Sequence, residues 1–299
     1  MVVIKHRKIF FILSGLLVFA SIVCLALWQL NFGIDFKGGS LAEIEWVDSR
    51  PNNQEIQDVL VPLNLGNINI QATGEKGTIL RLKDIDEDTH QEILNTLKDK
   101  FGDLEERRFE SIGPAIGVEL KKKALWSISL ALIAILIFVA WAFRKVSFPI
   151  KSYRYGIIAV IALFHDVLIV MGVFSFLGRF GEVEVGVPFV AALLTVLGYS
   201  VNDSIVVFDR IRENLLSYKA KDEEFSKTVG RSLKQTITRS INTSLTTLFV
   251  LFAIFLFGGV TIKFFALALI IGIALGTYSS IFLASPLLVA WERRRRAAF

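Results

Sequence analysis

Six apolar runs, each long enough to cross a hydrocarbon layer, dictate what this chain can become. A bilayer core about 30 Å thick takes roughly 20 apolar residues in helical form. The runs fall at 9–30, 124–143, 155–177, from 187 onward, from 244 to a little beyond 257, and at 264–291. In hydrocarbon every backbone N–H and C=O must be satisfied within the segment, so such runs are read as helices. Composition agrees: 53% of the 299 residues are hydrophobic and the mean hydropathy is +0.56, too apolar for a soluble domain.

The first run follows a basic stretch at 5–8. It is too long for a signal-peptide core and ends in no small-x-small cleavage site, so it is a retained span. The single cysteine, Cys24, lies inside it. One cysteine allows no disulfide within the chain, and the bulky Val23 before it does not suit lipoprotein processing. Cys24 is a packing residue.

Residues 31–123 are polar enough for a folded domain. Alternation at 41–47 gives a strand. Ile56, Val59, Leu60 and Leu63 put one apolar face on a helix over 53–63. Residues 67–73 and 78–82 are strands joined by Gly-Glu-Lys-Gly, a hairpin signal. Asp86 or Asp88 caps a helix carrying Ile93, Leu94, Leu97 and Phe101 on one face. Residues 104–109 form a last strand. The order βαββαβ is that of a small split-βαβ, ferredoxin-like unit. It holds no histidine–cysteine cluster and no nucleophile with a base, and His90, in an acidic helix start, reads as solvated. This is a binding or mechanical module, and nothing marks the chain as an enzyme. The expected fold class is a polytopic α-helical membrane protein of six transmembrane helices with a small α+β domain between the first two spans. Its divisions are 1–30, 31–123 and 124–299.

Charge sets the orientation. Arg144, Lys145, Lys151 and Arg154 follow the second span. A long basic connection over 209–242 follows the fourth, with Arg210, Arg212, Lys219, Lys221, Lys227, Arg231, Lys234 and Arg239. Residues 293–296 are all arginine. The loop at 178–186 sets Glu182 and Glu184 against Arg179. By the positive-inside rule both termini are cytoplasmic and the small domain is extracytoplasmic. Lys121–Lys123 fall on the outer side, an exception that long translocated domains tolerate. No basic run interleaved with aromatics suggests nucleic-acid binding.

The fourth run carries Asn202 and Asp203 near its far end, then Asp209, Arg210 and Arg212. A carboxylate in hydrocarbon costs about 3 kcal/mol or more, so it faces protein or a watery cavity and is functional by default. Arg239 starts the next span from the same side, and two antiparallel helices would bring it to the depth of Asp203. Such a pair could bind and release a proton as its geometry changes; a static ion pair between two helices is the other reading. His165 and Asp166 near the middle of the third span suit either a proton relay or helix–helix hydrogen bonding. Adjacent residues point about 100° apart, so at most one of them faces Asp203 directly. Ala268, Gly272, Gly276 and Ser280 make a small-residue stripe for close helix approach. Thr243, Ser244, Thr246 and Thr247 add hydrogen bonding at the start of the fifth span. Gly33, Gly38 and Gly39 surround Asp35 and Lys37 in a turn where glycine supplies positive φ.

Five segments carry a resemblance: GIDFKGG at 33–39, GPAIG at 113–117, HDV at 165–167, GYSVNDSIVVFDRIREN at 198–214 and QTITRSINTSLTTL at 235–248. The chain resembles, over nearly its whole length, the SecF family, the smaller membrane subunit of the bacterial SecD–SecF complex and a relative of the resistance-nodulation-division transporters. The fourth-span motif is the specific one. The resemblance implies a multi-pass protein of the bacterial inner membrane. It implies SecD as partner, a SecY–SecE–SecG channel with YajC, and an exported unfolded polypeptide as client on the outer side. It also implies the proton-motive force as energy source, with no cofactor or metal, and it ties Asp203, Arg239 and Asp166 to proton movement. A passive scaffold of the translocon and a half-unit of a small-molecule exporter stay open as alternatives. An intramembrane aspartyl protease needs two carboxylates sharing a proton, and His-Asp and Asn-Asp do not match its motifs.

Overall fold

The computed structural model describes residues 2–144, 151–181, 183–216 and 224–297. Lys145, Glu182, Lys219 and Lys221 lie outside the described residues, as do the side chains of Arg294, Arg295 and Arg296. The chain divides into two compact units, one of residues 1–31 with 126–299 and one of 32–125.

The smaller unit is a four-stranded antiparallel sheet with two helices. β1 (Gly39–Trp46) leads through α4 (Asn53–Leu60) and a 3-10 turn (Val61–Leu63) to β2 (Asn69–Thr73) and β3 (Gly77–Leu82). α5 (Glu87–Phe101) and β4 (Leu104–Ile112) complete it. The sheet order is β2-β3-β1-β4, which places each helix-linked strand pair on either side of a third strand, as a split βαβ unit requires. Local chemistry fixes the helix starts. Asn52 and Glu55 form a reciprocal capping box on α4. Asp86, not Asp88, caps α5 by accepting from the Thr89 N–H at 3.0 Å. Hydrogen bonds from Thr89 hold the Asp86 carboxyl below the usual carboxylate range. The core gathers Ile44, Trp46, Ile56, Leu60, Leu80 and Leu97.

Two expectations for this unit need correction. His90 is not solvated: it is 3% exposed and stacks on Phe109 with ring centroids 3.7 Å apart. Its Nε2 lies 2.9 Å from Glu106 Oε1, so carboxylates supply the polarity that the sequence suggested water would. The glycine segment is not a plain turn either. Ile34–Lys37 form one helical turn, α3, with Gly33 as its N-cap at an ordinary φ of −76°. Gly38 and Gly39 do take positive φ, 78° and 130°. A Cβ on Gly39 would sit 2.7 Å from Leu82 O, so backbone crowding as well as torsion requires glycine there.

The larger unit is helical. After a short turn, α1 (Val2–Lys5), α2 spans Arg7–Trp28. α6 (Pro114–Ala142), α7 (Ser152–Phe180), α8 (Val187–Leu216), α9 (Phe225–Phe257) and α10 (Val260–Ser279) follow. α10 continues through a π-helical turn, Ser280–Ala284, into α11 (Ser285–Ala297). Among the described residues, six helices are thus long and apolar enough to cross a membrane. The 209–242 connection is not the long loop expected: α8 and α9 run into it from both sides, so 209–216 and 225–242 are helical. α6 likewise begins at Pro114, so Lys121–Lys123 sit on a helix.

Burial within this unit is uneven. The apolar windows of α7 and of α10–α11 are each 61% buried, against 11% for α2 and 6% for α6. α2 packs on α7, where Gly172 gives Ser21 room and the Ser175 hydroxyl donates to Cys24 O at 2.9 Å. Phe143, at the end of α6, stacks on Tyr155 of α7 and meets Phe208 of α8 edge-on.

Candidate functional site

The small-residue stripe of α10 sets the geometry. α10 packs closely along α8. A Cβ on Gly272 would lie 2.8 Å from Val196 Cγ1, and one on Gly276 would lie 2.8 Å from Ser200 Cβ. Only glycine lets the backbones approach this far. One turn beyond this contact stand the two intramembrane carboxylates.

Asp166 is fully buried. Its Oδ1 lies 2.9 Å from His165 Nδ1. Its Oδ2 accepts from Ser200 Oγ of α8 at 2.6 Å and from Ser279 Oγ of α10 at 2.7 Å. Although neighbours leave a helix about 100° apart, the His165 imidazole folds back onto Asp166. The far nitrogen, His165 Nε2, is buried and has no hydrogen-bond partner among the described residues. The ring lies 6.2 Å from that of Tyr278.

Asp203 has a different setting. Its Oδ2 accepts a hydrogen bond from Ser280 Oγ. It lines a cavity of about 50 Å³ with Tyr199, Asn202, Val206, Arg239, Ser240 and Thr243. A water needs roughly 10–15 Å³ of such space, so the cavity can hold water against the carboxylate. Ser240, buried, stands at its wall beside the Asp203 carboxylate.

The structure brings Arg239 and Asn202 to Asp203, as expected, but through the cavity. No ion pair joins Asp203 to Arg239, whose side chain is exposed. Serine hydroxyls take the place of the arginine. The cationic partner was expected because burial of a carboxylate demands compensation; hydroxyl donors and a polar cavity supply part of it. Asp209, Arg210 and Arg212 pair locally on α8, Arg210 with Glu213 at 2.7 Å and Arg212 with Asp209 at 3.0 Å. Gly33, Asp35, Gly38 and Gly39 belong to the other unit and take no part in this cluster.

Sequence reading missed Ser200 and Ser279 and took Ser280 for packing alone. A signal existed: Ser279-Ser280 precede Pro286 by one to two turns. Proline has no N–H for the carbonyl four residues back and crowds it, which favours an extra residue in the preceding turn. The insertion falls at Ser280–Ala284, and Ser285 Oγ donates to Ser280 O at 2.9 Å. Insertions of this kind concentrate at functional sites. The residues that hold the two aspartates are hydroxyls, one histidine and water-sized space; the described residues contain no cluster suited to a metal ion.

The family model "Protein export membrane protein SecD/SecF, C-terminal" matches residues 92–294, and the "SecD/SecF GG Motif" matches 29–45. The chain is 43% identical to "Protein translocase subunit SecF" of Thermobaculum terrenum, covering 98% of this chain and 94% of that one. It is 34% identical to "Protein translocase subunit SecDF" of Bacillus subtilis, covering 97% of this chain but 38% of that one. The crystal structure of SecDF, a translocon-associated membrane protein from Thermus thermophilus, superposes with a TM-score of 0.83 at 32% identity. That match covers 97% of this chain and 38% of the other. The helical site, the glycine pair and the full length thus point one way: the chain belongs to the SecF family of protein-export membrane proteins.

Proposed function

We propose that this chain is the smaller half of a proton-driven motor that promotes protein export, with SecD as its other half. The observation that carries the reading is the pair of buried carboxylates on α7 and α8. One is enclosed by two serine hydroxyls and a histidine ring nitrogen, and the other opens on a cavity with room for water and an arginine at its wall. A single charge crossing 100 mV releases about 2.3 kcal/mol, enough to bias a two-state movement. SecD supplies the other half of the membrane unit, a role supported by the fused SecDF relatives, of which this chain matches 38%. The SecY–SecE–SecG channel and YajC are further partners. Both termini lie in the cytoplasm, and residues 32–125 meet the exported chain on the outer side.

Asp203→Asn tests this in cells depleted of the native protein. The expected result is normal accumulation of the variant with loss of both export and proton flux. Unchanged export would leave the chain as an uncoupled scaffold of the translocon.

A further inference from the structure

Asp166 and Asp203 do not share a hydrogen bond, yet adjacent residues hold them. Ser279 donates to Asp166 and Ser280 to Asp203. On a regular helix, neighbours point about 100° apart. Here Ser279 closes α10 and Ser280 opens the π turn, and their hydroxyls reach carboxylates on two different helices. Each hydroxyl also has a second acceptor on its own helix: Gly276 O at 3.2 Å for Ser279, and Thr277 O at 3.0 Å for Ser280. A hydroxyl has one proton to donate. Each serine therefore has two arrangements, one turned to the carboxylate and one turned to its own backbone.

We propose that Ser279 and Ser280 are positioning residues that couple the two carboxylates, so that loading a proton on Asp203 is felt at Asp166. The proposal rests on the proton-driven reading above. A proton from cavity water binds an Asp203 oxygen and neutralises it. The anion no longer competes for the Ser280 hydroxyl, which turns to Thr277 O. Ser279, one residue away and at the mouth of the same π turn, loosens from Asp166 and releases α7 from α10. When the proton leaves, both hydroxyls return. No covalent bond in either serine changes. The ionisable groups around the pair are His165 and Asp166 from α7, Tyr199 and Asp203 from α8, Arg239 from α9 and Tyr278 from α10.

The test is the pH profile of proton-driven export in vesicles that hold the chain assembled with its membrane partner. Ser280→Ala removes a donor from the anion and is expected to move the profile's midpoint to higher pH by about one unit, the scale of one hydrogen bond to a charged group. Ser280→Thr restores it. Ser279→Ala never touches Asp203, yet it is expected to move the same midpoint, and the double variant to move it by less than the two shifts together. Ser279→Cys keeps the volume and weakens the donor, and gives the same reading where alanine lowers accumulation. A midpoint unmoved by both Ser279 variants, or shifts that simply add, overturns the coupling. Asp203→Asn in parallel separates the two ideas. If it abolishes export while the Ser279 variants are silent, only the coupling falls. If it leaves export intact, the proton-driven reading falls and the coupling with it.

Discussion

Two serine hydroxyls and a histidine ring nitrogen converge on the fully buried Asp166 carboxylate; Asp203 has Ser280, with Ser240 beside it, and a cavity. Amidation therefore has different consequences at the two positions. Asp166→Asn replaces one accepting oxygen with an NH2 donor, which must face either the two donating serines or the His165 ring nitrogen where an acceptor stood. The expected cost is about 1–3 kcal/mol, visible as a lower melting midpoint in detergent and reduced accumulation. Asp203→Asn can turn its amide to cavity water and is expected to melt within error of the parent. Equal destabilisation by both would mean that the cavity does not solvate Asp203. The two aspartates were legible in the sequence because charge in an apolar run stands out. Their partners were not, because serine is common in membrane helices and carries no mark of which neighbour it will meet. His90 failed in the opposite sense: an acidic neighbourhood resembled a solvated surface until Phe109 and Glu106, from a strand sixteen residues on, closed over it.

Among the elements, the contact of α8 with α10 depends on missing side chains. Alanine at Gly272 or Gly276 must displace Val196 or Ser200, and the latter is bonded to Asp166. Each substitution is expected to destabilise by about 1–3 kcal/mol through overpacking. Gly15→Ala on α2 is the internal control: nothing lies within 4 Å of its added methyl, so helix propensity alone acts and the melting midpoint holds or rises. A Gly276→Ala variant as stable as the parent would show that the helices can separate at no cost. This stripe was readable from its four-residue period. The helical extensions at 209–216 and 225–242 were not, since charge and polarity in those stretches resemble a loop. Their periodic apolar positions, Ile211, Phe225, Val229 and Leu233, become informative only when seen to share one buried cluster.

For the whole molecule, the proposed topology of six crossings puts the two ends on one side. Cys24→Ser provides a background free of cysteine. Single cysteines at Lys5 and Arg293 are expected to react with an impermeant thiol reagent from the cytoplasmic face. A cysteine at Glu75, in the β2–β3 turn, should react from the outer face. Labelling of Lys5 and Glu75 positions from the same side would break the six-span topology. The element order βαββαβ was legible from the spacing of turns and apolar faces, whereas the pairing of the strands across the sheet carries no local signal.

The partner of the first long helix raises a matter of timing. α2 packs on α7, which leaves the ribosome more than a hundred residues later. At ordinary elongation rates that is a wait on the order of ten seconds. During it, α2 must live in lipid without its neighbour. It is the most hydrophobic of the six spans, with a mean hydropathy of 2.8, whereas the charge-bearing α8 is the least, at 1.6. α8 emerges with α7 already in place. The span made first is thus the one best suited to lipid alone, and the least apolar span follows a helix it packs on.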